Sequence, residues 1–134
     1  MGPAAWRGIC TEDAVAATLM GGAITECIDK AIEKFDGKYI IGDEATTRER
    51  DRIKPMTELA VAELEQYGKP FFPEVEEGDH HQNKIEIIAK GEGWTIPVIG
   101  YLDLVYPDHG IVIDLKTTGR IPSTMSAEHQ LQRA

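Results

Sequence analysis

Cysteines, basic residues and long apolar runs are all scarce in this chain of 134 residues. Its two cysteines, Cys10 and Cys27, are too few for a disulfide framework, which predicts a protein of a reducing compartment. No apolar run approaches the roughly 20 residues of a membrane-spanning helix, and no stretch near the N-terminus resembles a signal peptide. We therefore expect an intracellular protein that is not integral to a membrane.

Basic residues are outnumbered by acidic ones, 14 Lys and Arg against 23 Asp and Glu, for a net charge of −9. An acidic surface repels phosphate at long range, which lowers the expectation of nucleic-acid binding. The imbalance is uneven, because residues 100–134 hold three basic and four acidic residues, a local balance of −1. A cation held by two of those four carboxylates would turn this segment positive. Net charge therefore does not exclude DNA as a partner.

The first half of the chain is predicted to be helical. Thr11 is a candidate N-cap for a first helix, and Gly21-Gly22 interrupts the pattern. Thr25 is a candidate cap for a second helix, which Gly37 would end. The apolar stripe of that second helix consists of Ile28, Ala31, Ile32 and Phe35.

Residues 42–51 are polar and are predicted to form a loop. A third helix is predicted to run to Tyr67, with Gly68 as its stop signal. Its apolar register comprises Met56, Leu59, Ala60, Glu63 and Leu64.

From Lys69 onwards the pattern changes to that of strands. Residues 83–90 alternate as expected for a half-buried strand, and residues 94–106 are rich in β-branched and aromatic residues. The turn residues 107–110 separate them from the apolar run 111–115, which predicts a hairpin. We therefore expect one α+β domain over residues 1–134, with a helical part at 1–68 and a sheet part at 69–134.

Three charged residues stand inside this predicted hairpin. Its turn would place Asp103 and Asp114 roughly opposite each other, and Asp114 and Lys116 are two residues apart, on one strand face. Two carboxylates and an amine suit a hard cation such as Mg²⁺, with Lys116 beside the water that the cation activates. The alternative is an exposed ion pair in which Lys116 merely neutralises Asp114.

The spacing of Asp103, ten residues and then Asp114-Leu115-Lys116 resembles the core signature of the PD-(D/E)XK nuclease superfamily. Two more motifs resemble its RecB-like phage and prophage exonuclease branch. Arg7-Gly8 followed by Glu12 is similar to the N-terminal helix motif of that branch, and residues 126–132 are similar to its downstream Gln motif. The resemblance covers about residues 7–20 and 96–134, with the four motif pieces in the family order.

The resemblance implies specific roles for the matching residues. Asp103, Asp114, the main-chain carbonyl of Leu115 and Glu12 would hold Mg²⁺ or Mn²⁺. Lys116 would orient or deprotonate the attacking water, and Gln132 would hold Lys116 or the DNA strand. Arg120 and Arg133 flank the site and are weaker candidates for phosphate contacts, and His129 is expected to be structural or to contact the DNA backbone rather than to be catalytic. The iron–sulfur cluster of some relatives is not expected, since two cysteines cannot supply its four ligands.

The fold implied by the resemblance is restriction-endonuclease-like, with a central mixed β-sheet flanked by helices. The implied function is metal-dependent hydrolysis of DNA by an exonuclease, in phage-type recombination or DNA processing, in the cytoplasm of a bacterial or phage-infected cell. A recombination partner protein is a further expectation, and a structure-selective endonuclease is the nearest variant. The family Tyr would follow Gln132 by four residues, beyond Ala134, so we expect a C-terminally truncated chain.

Two functions of other classes are alternatives to the nuclease. One is a non-catalytic relative of the nuclease fold that binds DNA or protein. The other is an acidic adaptor for a basic protein, whose binding would be indifferent to Mg²⁺ and to Asp114→Ala.

Overall fold

Helices precede antiparallel strands in the computed structural model, which describes residues 1–39, 42–71, 83–102 and 104–118 and has an α+β architecture. The helices are α1 (Pro3–Leu19), α2 (Ile24–Asp36), α3 (Glu44–Asp51) and α4 (Ile53–Leu64), the last followed by a 3₁₀-helical turn (Glu65–Tyr67). The strands are β1 (Asn83–Gly91), β2 (Trp94–Leu102), β3 (Leu104–Tyr106) and β4 (Ile111–Ile113). None of the described helices is long and apolar enough to cross a membrane.

The first helix begins eight residues before the predicted cap, so the assignment of Thr11 as an N-cap is wrong. Pro3 occupies the first turn, where its fixed φ and missing N–H favour helix initiation. Thr11 is instead fully buried inside the helix. The predicted interruption is confirmed, because α1 ends at Leu19 and Gly21 has a φ of 109°, which favours glycine.

The predicted stripe of α2 is confirmed. Ile28, Ala31 and Phe35 are buried, Ile32 is partly buried against them, and Gly37 follows the last helical residue. The N-cap is Ala23, two residues before the predicted cap Thr25.

Residues 44–51 form helix α3, so the prediction of a loop there is wrong. Asp43 caps the helix, since its carboxylate accepts hydrogen bonds from the Thr46 backbone N–H at 2.7 Å and the Thr46 hydroxyl at 2.9 Å. Arg50 donates two hydrogen bonds, of 2.7 and 2.9 Å, to the Asp36 carboxylate of α2. Capping and ionic contacts therefore hold a helix that has no apolar stripe.

Helix α4 buries a face that differs in part from the predicted one. Its buried residues are Ile53, Thr57, Val61 and Leu64, whereas Leu59 is 69% exposed. Of the predicted register, Leu64 is buried and Ala60 is partly buried, so the register is confirmed in part. The predicted end is confirmed, because Gly68 follows the 3₁₀ turn with a φ of 75°.

The strands form two antiparallel hairpins. In the first, Asn83 pairs with Leu102 and Gly91 with Trp94. In the second, Leu104 pairs with Ile113 and Tyr106 with Ile111, across the predicted turn at 107–110. Phe71 adds a single antiparallel bridge to Val105. Every strand pair in the described residues is antiparallel, so the parallel pair of the expected mixed sheet is not among them.

Two buried clusters form the core. The first lies among α1, α2 and α4 and includes Cys10, Ala14, Cys27, Ala31, Phe35 and Ile53. The second joins α1 and α4 to the β3–β4 hairpin and includes Val15, Val61, Leu64, Leu104 and Tyr106. The second cluster attaches the hairpin that contains the predicted site to the helices.

We expect Ile53→Ala to lower the free energy of unfolding by about 2–5 kcal/mol, because Ile53 is fully buried and its truncation leaves a cavity. Leu59→Ala on the same helix is the matched control and should change it by no more than about 0.5 kcal/mol. Urea unfolding measures both. Equal losses for the two variants would contradict the observed face of α4.

A pH effect is expected from the cap of α3. The hydrogen bonds from Thr46 hold the pKa of Asp43 below its ordinary value of 3.8, so the ionised cap stabilises the folded state. Asp43→Ala should therefore lower the free energy of unfolding at pH 7, and the difference from wild type should shrink as pH falls below about 3.8. Urea unfolding at several pH values measures this, with Asp29→Ala as control for loss of an exposed charge. A difference that is constant with pH would refute it.

Candidate functional site

The chain from Ile111 onwards alternates between a packed face and an open face. Ile111, Ile113 and Leu115 lie partly buried against the second core cluster. The residues that alternate with them, Val112, Asp114 and Lys116, are exposed. This alternation has the period of an extended strand and continues past Ile113, where the ladder of β4 ends. The packing of Leu115 therefore fixes which way its two charged neighbours point.

Asp114 and Lys116 contact each other on the open face, as their spacing predicts. Lys116 Nζ lies 3.3 Å from Asp114 Oδ2, and the two side chains are 59% and 54% exposed. An ion pair this exposed contributes little to stability, so the backbone rather than the pair sets the arrangement. A carboxylate and an amine that both reach solvent can meet a cation and a phosphate. The same geometry also agrees with the alternative of a simple surface ion pair.

Five predicted site residues lie outside the described residues, namely Asp103, Arg120, His129, Gln132 and Arg133. Leu104, the residue after Asp103, is described. It pairs with Ile113, which directly precedes Asp114. Within the described part of the chain, no group of three or more His, Cys, Asp or Glu side chains could hold a metal ion. The described residues thus bring Asp114 and Lys116 together.

The N-terminal motif lies against the same segment. Arg7 of α1 is only 5% exposed, and its Nη2 donates to the Thr117 carbonyl at 3.0 Å and to Thr117 Oγ1 at 3.3 Å. The two residues are 110 positions apart in the chain. Because Thr117 follows Lys116, the structure places two of the motifs predicted from sequence side by side.

A glycine makes this approach of helix and segment close. A Cβ atom at Gly8 would lie 3.2 Å from Thr117 Oγ1, which is tighter than an ordinary contact. Glu12 lies one helical turn further along α1, on the helix face of Gly8, and is half-buried. The motif Gly8–Glu12 therefore belongs to the face of α1 that meets the segment containing Asp114 and Lys116.

The sequence pattern did not indicate that Arg7 positions the segment after Lys116. Arg7 was noted there only as the first residue of the N-terminal motif. In the structure its Nη1 pairs with Glu49 of α3, which Arg52 also contacts at 3.2 Å. A signal was present, because Arg7 lies three and seven residues before Cys10 and Ala14 and so falls on the buried stripe of α1. A charge on such a stripe requires a buried partner.

Thiol chemistry finds no support at this site. Burial raises the pKa of Cys10 to about 11, which keeps the thiol protonated and poorly nucleophilic. Cys10 and Cys27 both lie buried in the first core cluster.

Comparisons of this chain with protein-family models, with curated proteins and with solved structures found no match in any of the three. The resemblance to the nuclease superfamily therefore rests on the motif residues themselves.

Arg7→Met should lower the free energy of unfolding by about 3 kcal/mol, because it leaves the carboxylate of Glu49 buried with less compensation. This loss is at the low end of the range for a broken buried ion pair, because Arg52 still contacts Glu49. Arg48→Met is the matched control, since Arg48 is 56% exposed and its distance to Glu44 is 3.9 Å. Urea unfolding that gave equal losses for both arginines would contradict the role assigned to Arg7.

Proposed function

We propose that this chain is a metal-dependent nuclease of the PD-(D/E)XK superfamily with a restriction-endonuclease-like core. In this proposal it hydrolyses DNA phosphodiester bonds as an exonuclease in phage-type recombination or DNA processing. The observation that supports this best is the contact of Arg7 with Thr117. Motifs that are distant in sequence but belong to one catalytic site have to meet in space. Here the N-terminal motif and the Asp114-Leu115-Lys116 motif do so.

The metal proposed for this site is Mg²⁺ or Mn²⁺, held by Asp114, the Leu115 carbonyl, Asp103 and Glu12. All of these donors are oxygen atoms, which is the chemistry that a hard cation prefers. Asp103 is assigned the place opposite Asp114, because it precedes Leu104 and Leu104 pairs with Ile113. A bound divalent cation would supply charge for the phosphate and lower the pKa of a water molecule.

Other residues of this chain are assigned to orienting the water and holding the DNA. The ammonium of Lys116 lies 3.3 Å from the Asp114 carboxylate, so it can orient the attacking water and stabilise negative charge that develops on the phosphate. Packing of Leu115 on the core keeps both charged groups on the open face. Gln132 is assigned to holding Lys116 or the DNA strand, and Arg120, His129 and Arg133 to contacts with DNA.

A non-catalytic relative that binds DNA or protein is the second candidate. The observation that favours it is the contact between Lys116 and Asp114, because a lysine that only neutralises its neighbouring carboxylate makes the same contact. The two candidates differ in whether the chain cleaves DNA and in whether Asp114 matters for binding a divalent cation.

The decisive experiment is cleavage of end-labelled single- and double-stranded DNA in Mg²⁺, Mn²⁺ or EDTA. Asp114→Asn and Lys116→Ala should each reduce the rate about 100-fold or more, since each removes a group that acts on developing charge. Matched controls are Asp108→Asn, an exposed carboxylate in the adjacent turn, and Lys90→Ala, an exposed lysine of β1; both should retain wild-type rates.

Cleavage that persists in EDTA, or in both Asp114→Asn and Lys116→Ala, would contradict the nuclease proposal. A folded wild-type protein that binds DNA and does not cleave it would establish the binding relative instead. The product ladder distinguishes an exonuclease, which releases nucleotides from an end, from a structure-selective endonuclease.

A further inference from the structure

A row of apolar side chains crosses the open face of the sheet beside Asp114 and Lys116. Phe71 bridges to Val105, with its backbone N–H donating to the Val105 carbonyl at 2.8 Å, and Val105 pairs with Val112. Residues directly opposite each other in antiparallel strands point to the same face of the sheet. Phe71, Val105 and Val112 therefore form one continuous row, which we call the apolar row.

The two ends of the apolar row are open to solvent and Val105 between them is half-buried, whereas the other face of the same strands is buried. Phe71 and Val112 are each 54% exposed. The neighbouring residues Leu104 and Tyr106 point the other way and are buried at 3% and 2% exposure. Val112 is followed at two-residue steps by Asp114 and Lys116 on the same open face. The row and the proposed catalytic pair thus share one surface.

Two lysines lie near this surface in the chain. Lys116 lies on it beside Asp114, and Lys69, which is exposed, precedes Phe71 by two residues. Lys69 forms no ion pair with the residues that the structure describes. Aromatic and aliphatic side chains with lysines nearby complement a strand of nucleic acid, whose bases are apolar on their faces and whose phosphates are anionic.

We propose that the apolar row is a platform on which unpaired bases of a single-stranded DNA end stack. The strand would then pass over Asp114 and Lys116, so this inference rests on the proposed nuclease function. Standard strand spacings put Phe71 roughly 12 Å from Asp114. That distance corresponds to about three or four stacked nucleotides. Base faces in a duplex are covered by their neighbours, so the platform favours single strands over blunt duplex.

The size of the row argues against a protein partner. A stable protein–protein interface uses roughly 20–30 residues on each side. Three apolar side chains fall far below that number. A few stacked bases, in contrast, need only one or two exposed aromatic or aliphatic side chains each.

The test measures the anisotropy of a 5′-fluorescein-labelled 12-nucleotide oligothymidylate, and of a blunt duplex of the same length, with Ca²⁺ in place of Mg²⁺. Phe71→Ala should weaken binding of the single strand by on the order of tenfold and that of the duplex much less. Phe71→Tyr keeps the ring and should bind like wild type. Leu59→Ala removes an exposed apolar side chain from α4 and should also bind like wild type.

Folding is checked by circular dichroism, and the backbone bridge of Phe71 does not depend on its side chain. Unchanged binding in Phe71→Ala, no binding by wild type, or an equal loss for both DNA forms would overturn the platform. So would a change in molar mass by light scattering without a change in DNA binding, which indicates a protein surface.

Hydrolysis of thymidine 5′-(p-nitrophenyl phosphate) by wild type in Mn²⁺ separates the two proposals. If wild type hydrolyses this ester and Phe71→Ala binds single-stranded DNA as well as wild type does, the platform is overturned and the nuclease function is not. Phe71-dependent binding of the single strand, combined with no cleavage of this ester or of DNA, overturns the nuclease function and leaves the platform supported.

Discussion

Burial of a guanidinium costs free energy that hydrogen bonds to acceptors must offset, and the two terminal nitrogens of Arg7 find acceptors on two separate parts of the chain. Its Nη1 pairs with Glu49 of α3, and its Nη2 donates to Thr117 beyond β4. One buried cation thereby fixes α1, α3 and the segment containing Asp114 and Lys116 relative to each other. Gly8 permits the close approach that these hydrogen bonds require.

The candidate site depends on the alternation of side chains between two faces of an extended segment. Alternate residues of the segment from Ile111 to Lys116 serve packing and chemistry, because side chains of a strand alternate between two faces. Leu115 packs on the second core cluster, so Asp114 and Lys116 must point away from it. The same alternation leaves Val112 on the open face, where it continues the apolar row of Phe71 and Val105. Packing on one face thus defines a polar and apolar surface on the other.

Prediction from sequence succeeded where a local period or turn signal was strong. The stripe of α2, the strand at 83–90 and the hairpin around 107–110 are confirmed. It failed at α3, whose residues are polar except for Ala45 and which is held by the Asp43 cap and by ionic contacts such as that of Arg50 with Asp36. It also misjudged part of the buried face of α4, since packing against α1, α2 and the β3–β4 hairpin selects Ile53 and Val61 over Leu59.

The sequence by itself determined that Asp114 and Lys116 share a face, because the two-residue period of an extended chain is a local property of the backbone. It also determined the turn between β3 and β4, through a proline and a glycine with a φ of 64°. Only the tertiary structure decided that Arg7 and Gly8 lie against Thr117, and that Phe71 extends the surface beside Lys116. These contacts join residues far apart in sequence, and burial of a charge and pairing of strand edges select them.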